Sequence, residues 1–246
     1  MGADKNKPIL TPDQILDLTK VCEGRRVIKI GDIHGCFDEF MELLNKVDYK
    51  PGVDVLILAG DLIDRGPKVK QVLEFVMNKP MVYTILANHE WKLLRYLKGS
   101  LITVGNGLQT TLDQLNGWMT PKFTEWLEKL PLVIEWKPGH YLLHAGAHPW
   151  KLIHQQQRDF VLYARAFDPK TGKFGMRGDN FWFEFPREER IYFGHMPMDK
   201  CFVSPHAFAL DGGCVHGGVL RALIDGTTVV EVKAHKKHSE DRHEDS

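Results

Sequence analysis

The sequence predicts an α/β protein in which two facing β-sheets form a sandwich with helices on its outer faces. Three observations carry this. Between residues 27 and 98, three short apolar runs (27–30, 53–58 and 81–86) each give way to a segment whose apolar residues recur at helical spacing. Strands alternating with such helices imply a βαβ core. After residue 131 come further short apolar runs, punctuated by Lys137-Pro138-Gly139 and Asp225-Gly226, which mark hairpins of a second sheet. A chain of 246 residues, 43% hydrophobic, suits one large domain or two small ones, and we read residues 1–233 as one.

Bulk properties exclude several classes. Lys plus Arg total 32 and Asp plus Glu total 32, so the formal net charge is zero. Balanced charge argues against a protein that tracks long nucleic acid by counterion release, though not against one that binds a nucleic-acid end or a nucleotide. No extended nucleic-acid surface is evident. Cys22, Cys36, Cys201 and Cys214 form no Cys-x-x-Cys pair and read as free thiols. The first ten residues lack an apolar signal core, Asn6 breaks a myristoylation pattern after Gly2, and no run approaches a membrane span. A cytoplasmic protein without a membrane partner is expected.

Residues 11–21 read as a short helix opened by Thr11-Pro12, with Ile15, Leu16 and Leu18 on its apolar face. The three βα units follow. Strand 27–30 ends on Gly31-Asp32-Ile33-His34-Gly35, strand 53–58 on Gly60-Asp61-Leu62-Ile63-Asp64-Arg65-Gly66, and strand 81–86 on Asn88-His89-Glu90. In such a core, ligands gather beyond the carboxyl ends of the strands, so these residues share one rim. Their chemistry is coherent. Gly31 allows a sharp turn, so that Asp32 and His34 both face one cavity. Asp61 has two oxygens with which to bridge two ions, and mixed oxygen and imidazole donors suit Mn, Fe or Zn better than Mg or Ca. Arg65 offers a fork for phosphate, Asn88 a neutral oxygen, and His89 a group that gives or takes a proton.

These three motifs, in this order, resemble the signature of the calcineurin-like metallophosphoesterases, and within that superfamily the phosphoprotein-phosphatase branch. The resemblance runs from about residue 27 to 232 and implies the metallophosphoesterase fold and two divalent metal ions. Two more metal-binding histidines are implied on later strand ends, and His144 (in His144-Ala145-Gly146) and His195 (in Gly194-His195-Met196) match them. Asp32, His34 and Asp61 would then hold one ion, and Asp61, Asn88, His144 and His195 the other. Arg65 would bind the phosphoryl group beside Asn88, with Arg165 in Leu162-Tyr163-Ala164-Arg165 as a second arginine. His89, oriented by Asp64, would protonate the leaving oxygen.

Elsewhere the reading is plainer. Residues 99–130 form a helical insert with no titratable cluster, read as a layer over the sheet or as a substrate-reading cap. Residues 132–136 and 140–144 pair as a hairpin, residues 159–164 lie in a helix, and residues 181–185 supply core or pocket wall. Strands at 202–204, 207–210, 218–224 and 228–232 join the second sheet. His140, His148, His154, His206 and His216 match no ligand position. From residue 234 to 246 apolar residues all but vanish and disorder is expected.

Details point to several relatives. Asn-His-Glu and Phe-Gly-His-Met are similar to bacteriophage lambda-type protein phosphatases. Lys92-Leu93-Leu94-Arg95, His144-Ala145-Gly146 and the 211–218 stretch are similar to the phosphatase module of bacterial polynucleotide kinase-phosphatase, which acts on 2′-phosphates and 2′,3′-cyclic phosphates at RNA ends. Gly-Cys-Phe-Asp-Glu is similar to symmetrical diadenosine tetraphosphate hydrolases. The expected substrate is a phosphomonoester, with cyclic phosphodiesters at RNA ends included; a phosphoprotein or a dinucleoside polyphosphate is the alternative. A protein that binds a phosphorylated partner without turnover would lack a ligand or an acid, and none is missing. Two departures stand out: Ala87 where the family has Gly, and Gly212 where it has Thr.

Overall fold

The computed structural model describes residues 9–168, 170, 173–175 and 181–239. The chain enters through a 3-10 turn (Pro12–Gln14), strand β1 (Ile15–Asp17) and one helical turn, α1 (Thr19–Cys22). This corrects the single helix expected over residues 11–21. Ile15 and Leu16 pack into different apolar layers, which the alternation of a strand provides and helical spacing does not. Ile15 pairs in parallel with Val133.

The three βα units are β2 (Val27–Ile30) with α2 (Phe37–Lys46), β3 (Val55–Leu58) with α3 (Val69–Asn78), and β4 (Val82–Thr84) with α4 (Asn88–Leu97). Helices α5 (Asn106–Gln114) and α6 (Pro121–Glu128) make up the insert, and β5 (Val133–Lys137) and β6 (His140–Leu143) the hairpin. Then come α7 (Arg158–Tyr163), the small pair β7 (Ala166–Asp168) and β8 (Lys173–Gly175), β9 (Arg190–Phe193), β10 (Phe202–Ser204) and β11 (Ala207–Ala209). The chain closes with β12 (Asp211–Gly212), β13 (Val219–Ile224) and β14 (Thr228–Lys233).

One sheet runs β12-β13-β2-β3-β4, with β14 on β13; the facing sheet runs β1-β5-β6-β9-β11-β10. Strands β13 and β14 therefore belong with the βαβ core, not with the second sheet as expected from sequence. Ala222 lies opposite Ile30, and the Asp225 carboxylate accepts the Val27 N–H at 2.9 Å, which pins the hairpin to this edge. Leu220 and Ala222 face the helices while Leu223 faces the other sheet, so β13 carries apolar residues for both sides. A hairpin read from sequence does not reveal which edge it will join.

Three apolar layers result. Ile28, Ile30, Leu56 and Leu58 point outward to α2, α3 and the insert, whose Leu108, Leu115, Phe123 and Leu127 complete that layer. Val27, Val55, Ile57 and Leu223 meet Ile134, Trp136, Leu142, Tyr192 and Phe208 between the sheets. On the far side Leu143, Ile191 and Phe193 bury against Phe160, Val161, Trp182 and Phe183, so of the 181–185 stretch Trp182 and Phe183 are core, with Phe181 and Phe185 half-buried against it.

Within the stretch expected to be disordered, residues 234–239 are tied down. Ala234 N–H donates to Gly218 O, His235 N–H to Glu39 Oε1, and His238 N–H to Val215 O. Residues 240–246 lie outside the described residues.

Candidate active site

The rim forms because the ends of β2 and β3 bond to each other beyond the last ladder pair. The N–H groups of Ile33 and His34 both donate to Asp61 O (3.1 and 2.7 Å), and Gly35 N–H donates to Leu62 O (2.9 Å). The facing sheet closes the other side, with Gly194 N–H on His144 O (2.8 Å) and Leu210 N–H on Phe193 O (2.7 Å). Gly31 serves close approach more than turning: a Cβ there would lie 2.2 Å from Leu210 O. At Gly194 a Cβ would lie 2.0 Å from Asp32 Oδ1.

The backbone is strained where the chemistry gathers. His34, Asp61, Asp64, Arg65 and His195 hold φ of 44°, 46°, 70°, 68° and 64°. Left-handed conformations at residues other than Gly cost of order 1–3 kcal/mol each and cluster at functional sites. Ala87 needs no glycine, since its φ is −99°. Gly212 makes room for the Val219 side chain, which would stand 2.4 Å from a Cβ.

Asp61 is the centre. Its Oδ2 lies 3.4 Å from His34 Nε2, 3.4 Å from His144 Nε2 and 3.9 Å from His89 Nε2. Asn88 Oδ1 lies 2.6 Å from His144 Nε2, and the His144 and His195 rings meet edge to face at 4.9 Å. His34 Nδ1 donates to Ile63 O (2.7 Å) and His144 Nδ1 to Ala59 O (2.9 Å). A carbonyl only accepts, so each Nδ1 carries a proton; the Nε2 of His34 accepts from Arg65, and that of His144 faces the oxygens of Asn88 and Asp61. Asp32 Oδ2 accepts the His195 N–H at 2.8 Å, while Asp32 Oδ1 is buried without a hydrogen-bond partner.

Electrostatics point the same way. Burial, then the nearby Asp211 and Asp61 carboxylates, raise Asp32 well above the usual carboxylate range. Asp211 is pushed up to about 6, chiefly by burial. Asp61 falls well below its ordinary value because His144 and His89 outweigh its burial. Carboxylates crowded in a buried cavity beside imidazole nitrogens, with one oxygen unpartnered, form a donor set that fits divalent cations.

Two guanidinium groups reach into this cluster. Arg65 Nη1 donates to His34 Nε2 at 2.9 Å, and Arg165 Nε to His195 Nε2 at 3.3 Å. All the residues expected at the rim thus come together, with Asp64 fully buried behind His89 and bonded to its Nδ1 at 2.5 Å. His148 stays apart, packed on Phe160.

Three residues given no role from sequence belong here. Asp211 and His216 line the cavity. Glu90 grips the Asp61 turn from below, its two oxygens accepting the N–H groups of Asp61 (3.0 Å) and Leu62 (2.8 Å), and burial pushes its carboxyl up to about 7. Its place in Asn88-His89-Glu90 was the available signal. His216 had none beyond the glycines around it.

A pocket of carboxylates, histidines and arginines at the strand ends of an α/β sandwich defines a metal-dependent phosphoester hydrolase. The chain belongs to the calcineurin-like phosphoesterase family, whose model matches residues 25–220. It is 32% identical over 216 residues to the asymmetrical bis(5′-nucleosyl)-tetraphosphatase PrpE of Halalkalibacterium halodurans, covering 79% of this chain and 87% of that one. To the symmetrical bis(5′-nucleosyl)-tetraphosphatase of Nitrosococcus oceani it is 30% identical, over 80% of this chain and 92% of the relative. A crystal structure of a protein provisionally assigned as a diadenosine tetraphosphatase superposes with a TM-score of 0.76 at 29% identity, covering 89% of this chain and 97% of that one. A yeast serine/threonine phosphatase, at 14% identity and a TM-score of 0.60, shares the fold over 90% of this chain and 83% of its own. The family's chemistry uses divalent metal ions. Among the described residues no helix is long and apolar enough to cross a membrane.

Proposed function

We propose that this chain hydrolyses dinucleoside polyphosphates in the cytoplasm, with two divalent ions, best matched by manganese. The observation that carries the hydrolytic reading is the pair of donor sets sharing Asp61. His34, Asp61 and His89 form one, and Asp61, His144 and His195 the other, with the donor atoms of each set within 4.8 Å of one another. We give the place of His89 in the first set to Asp32. Of the three imidazole Nε2 atoms around Asp61 Oδ2, that of His89 is the farthest, at 3.9 Å against 3.4 Å for His34 and His144, and its Nδ1 is committed to Asp64. Asp32, with its unpartnered oxygen, suits a cation better.

Asp32, His34 and Asp61 would hold one ion and Asp61, Asn88, His144 and His195 the other; such ions supply Lewis acidity and an activated water. The chain's own groups do the rest. Arg65 and Arg165, on two sides of the cavity, bind the phosphoryl oxygens and offset charge that builds as the bond to phosphorus breaks. Asp64 holds the Nδ1–H of His89, which leaves Nε2–H directed at the departing oxygen.

Likeness to tetraphosphatases of both cleavage types supports the substrate class, as does the presence of two arginines, Arg65 and Arg165, in the lining of one cavity. Four free, buried thiols fit a reducing compartment. The test compares kcat/KM of the Mn-loaded protein on diadenosine tetraphosphate, a phosphoserine peptide, 2′- and 3′-mononucleotides and 2′,3′-cyclic nucleotides. Diadenosine tetraphosphate should lead, its products distinguishing symmetrical from asymmetrical cleavage. A lead for the peptide or the cyclic nucleotide would overturn the proposal.

A further inference from the structure

Helix α5 of the insert grips the turn that carries Asp64 and Arg65. Its Thr111 side chain accepts the Asp64 N–H at 2.9 Å and donates its O–H to Asp64 Oδ1 at 2.5 Å. The opposite carboxylate oxygen, Oδ2, takes the Nδ1–H of His89. Three links on three elements thus form one line: Thr111 on α5, Asp64 in the turn after β3, His89 at the start of α4. Thr111 and Asp64 are fully buried and His89 is 2% exposed, so water does not compete for these bonds.

Neighbouring contacts fix the same turn. Gln114 Oε1 accepts the Val69 N–H at 2.7 Å, its Nε2 donates to Gly66 O at 2.9 Å, and Arg65 N–H reaches Gly107 O at 3.5 Å. Asp64 sits at a φ of 70°, where a residue other than Gly needs outside support. The hydroxyl supplies it at two points, the backbone N–H and the carboxylate, and the second sets the direction in which Oδ2 meets His89.

We propose that Thr111 is a positioning residue for His89, fixing the Asp64 carboxylate so that the imidazole is aimed at the leaving group. This makes the insert part of the catalytic framework and not only a layer over the sheet. It rests on the reading of His89 as the general acid.

The test separates the two. Single-turnover rates are measured on an alkyl phosphate, whose alkoxide needs a proton to leave, and on p-nitrophenyl phosphate, whose phenolate does not. General acids contribute about 10²–10⁴-fold, so His89→Ala should lose that much on the alkyl ester and clearly less on the phenyl ester. Thr111→Val keeps the shape and removes both bonds. It should lose roughly 10-fold or more on the alkyl ester with KM little moved, and clearly less on the phenyl ester, because misplacement of a catalytic group shows in kcat. Thr111→Ser should recover most of the loss, and Thr111→Val placed in the His89→Ala chain should add little. If Thr111→Val does not fold, Thr111→Ala carries the same comparison. Equal losses on both esters, or no loss, with a graded loss for His89→Ala, would overturn the positioning role alone. Equal losses for His89→Ala would overturn the general acid and the positioning role together.

Discussion

Lys29 is the residue least at home in its surroundings. It sits fully buried between the sheets, with Nζ 4.0 Å from the centre of the Trp136 ring and 3.3 Å from Val27 O. Burial outweighs the pull of Asp225 and lowers its pKa to about 7 from 10.5. Between those values the unfolded chain holds the proton and the folded one does not, so raising the pH through this window favours the fold; below pH 7 both states are charged and the whole burial cost remains. Lys29→Met should therefore raise Tm at neutral pH, with the gain shrinking toward pH 10. A Tm below wild type across this range would refute the reading. At this scale the sequence was clear for Asp32, His34, Asp61, Arg65 and His89, because each stands in a short motif at a strand end. Thr111 was invisible, since nothing in Leu108-Gln109-Thr110-Thr111 marks one hydroxyl as the partner of a carboxylate 47 residues earlier.

At the scale of elements, periodicity revealed the three βα units because each strand and helix buries a regular face. It failed at the N-terminus, where three residues of strand are too few to show a period, and at β13 and β14, whose sheet is decided by contacts with β2. The elements also explain how the site is held. The end of β2 lies so close to Leu210 that Gly31→Ala would drive a methyl into its carbonyl oxygen. Overpacking of this kind costs typically about 1–3 kcal/mol. Gly31→Ala should lower Tm and weaken Mn binding together, since the strain falls next to Asp32. A thermal melt and a Mn titration check this, and wild-type values in both would show that the rim does not depend on that approach.

The whole molecule places its candidate ligands on both sheets. Asp32, His34, Asp61 and Asn88 follow β2, β3 and β4, while His144 and His195 follow β6 and β9. Cations shared between them would bridge the sandwich, so Mn should stabilise the folded chain by mass action as well as activate it. The central claim is that Asp61 is common to two such ions. Its most direct test is metal content: the chelator-stripped chain is titrated with Mn, desalted and analysed for metal per chain. Two ions per chain are expected, with one retained when His195→Ala removes a ligand of only one of them. A single ion in the wild-type chain, or none, would contradict the claim.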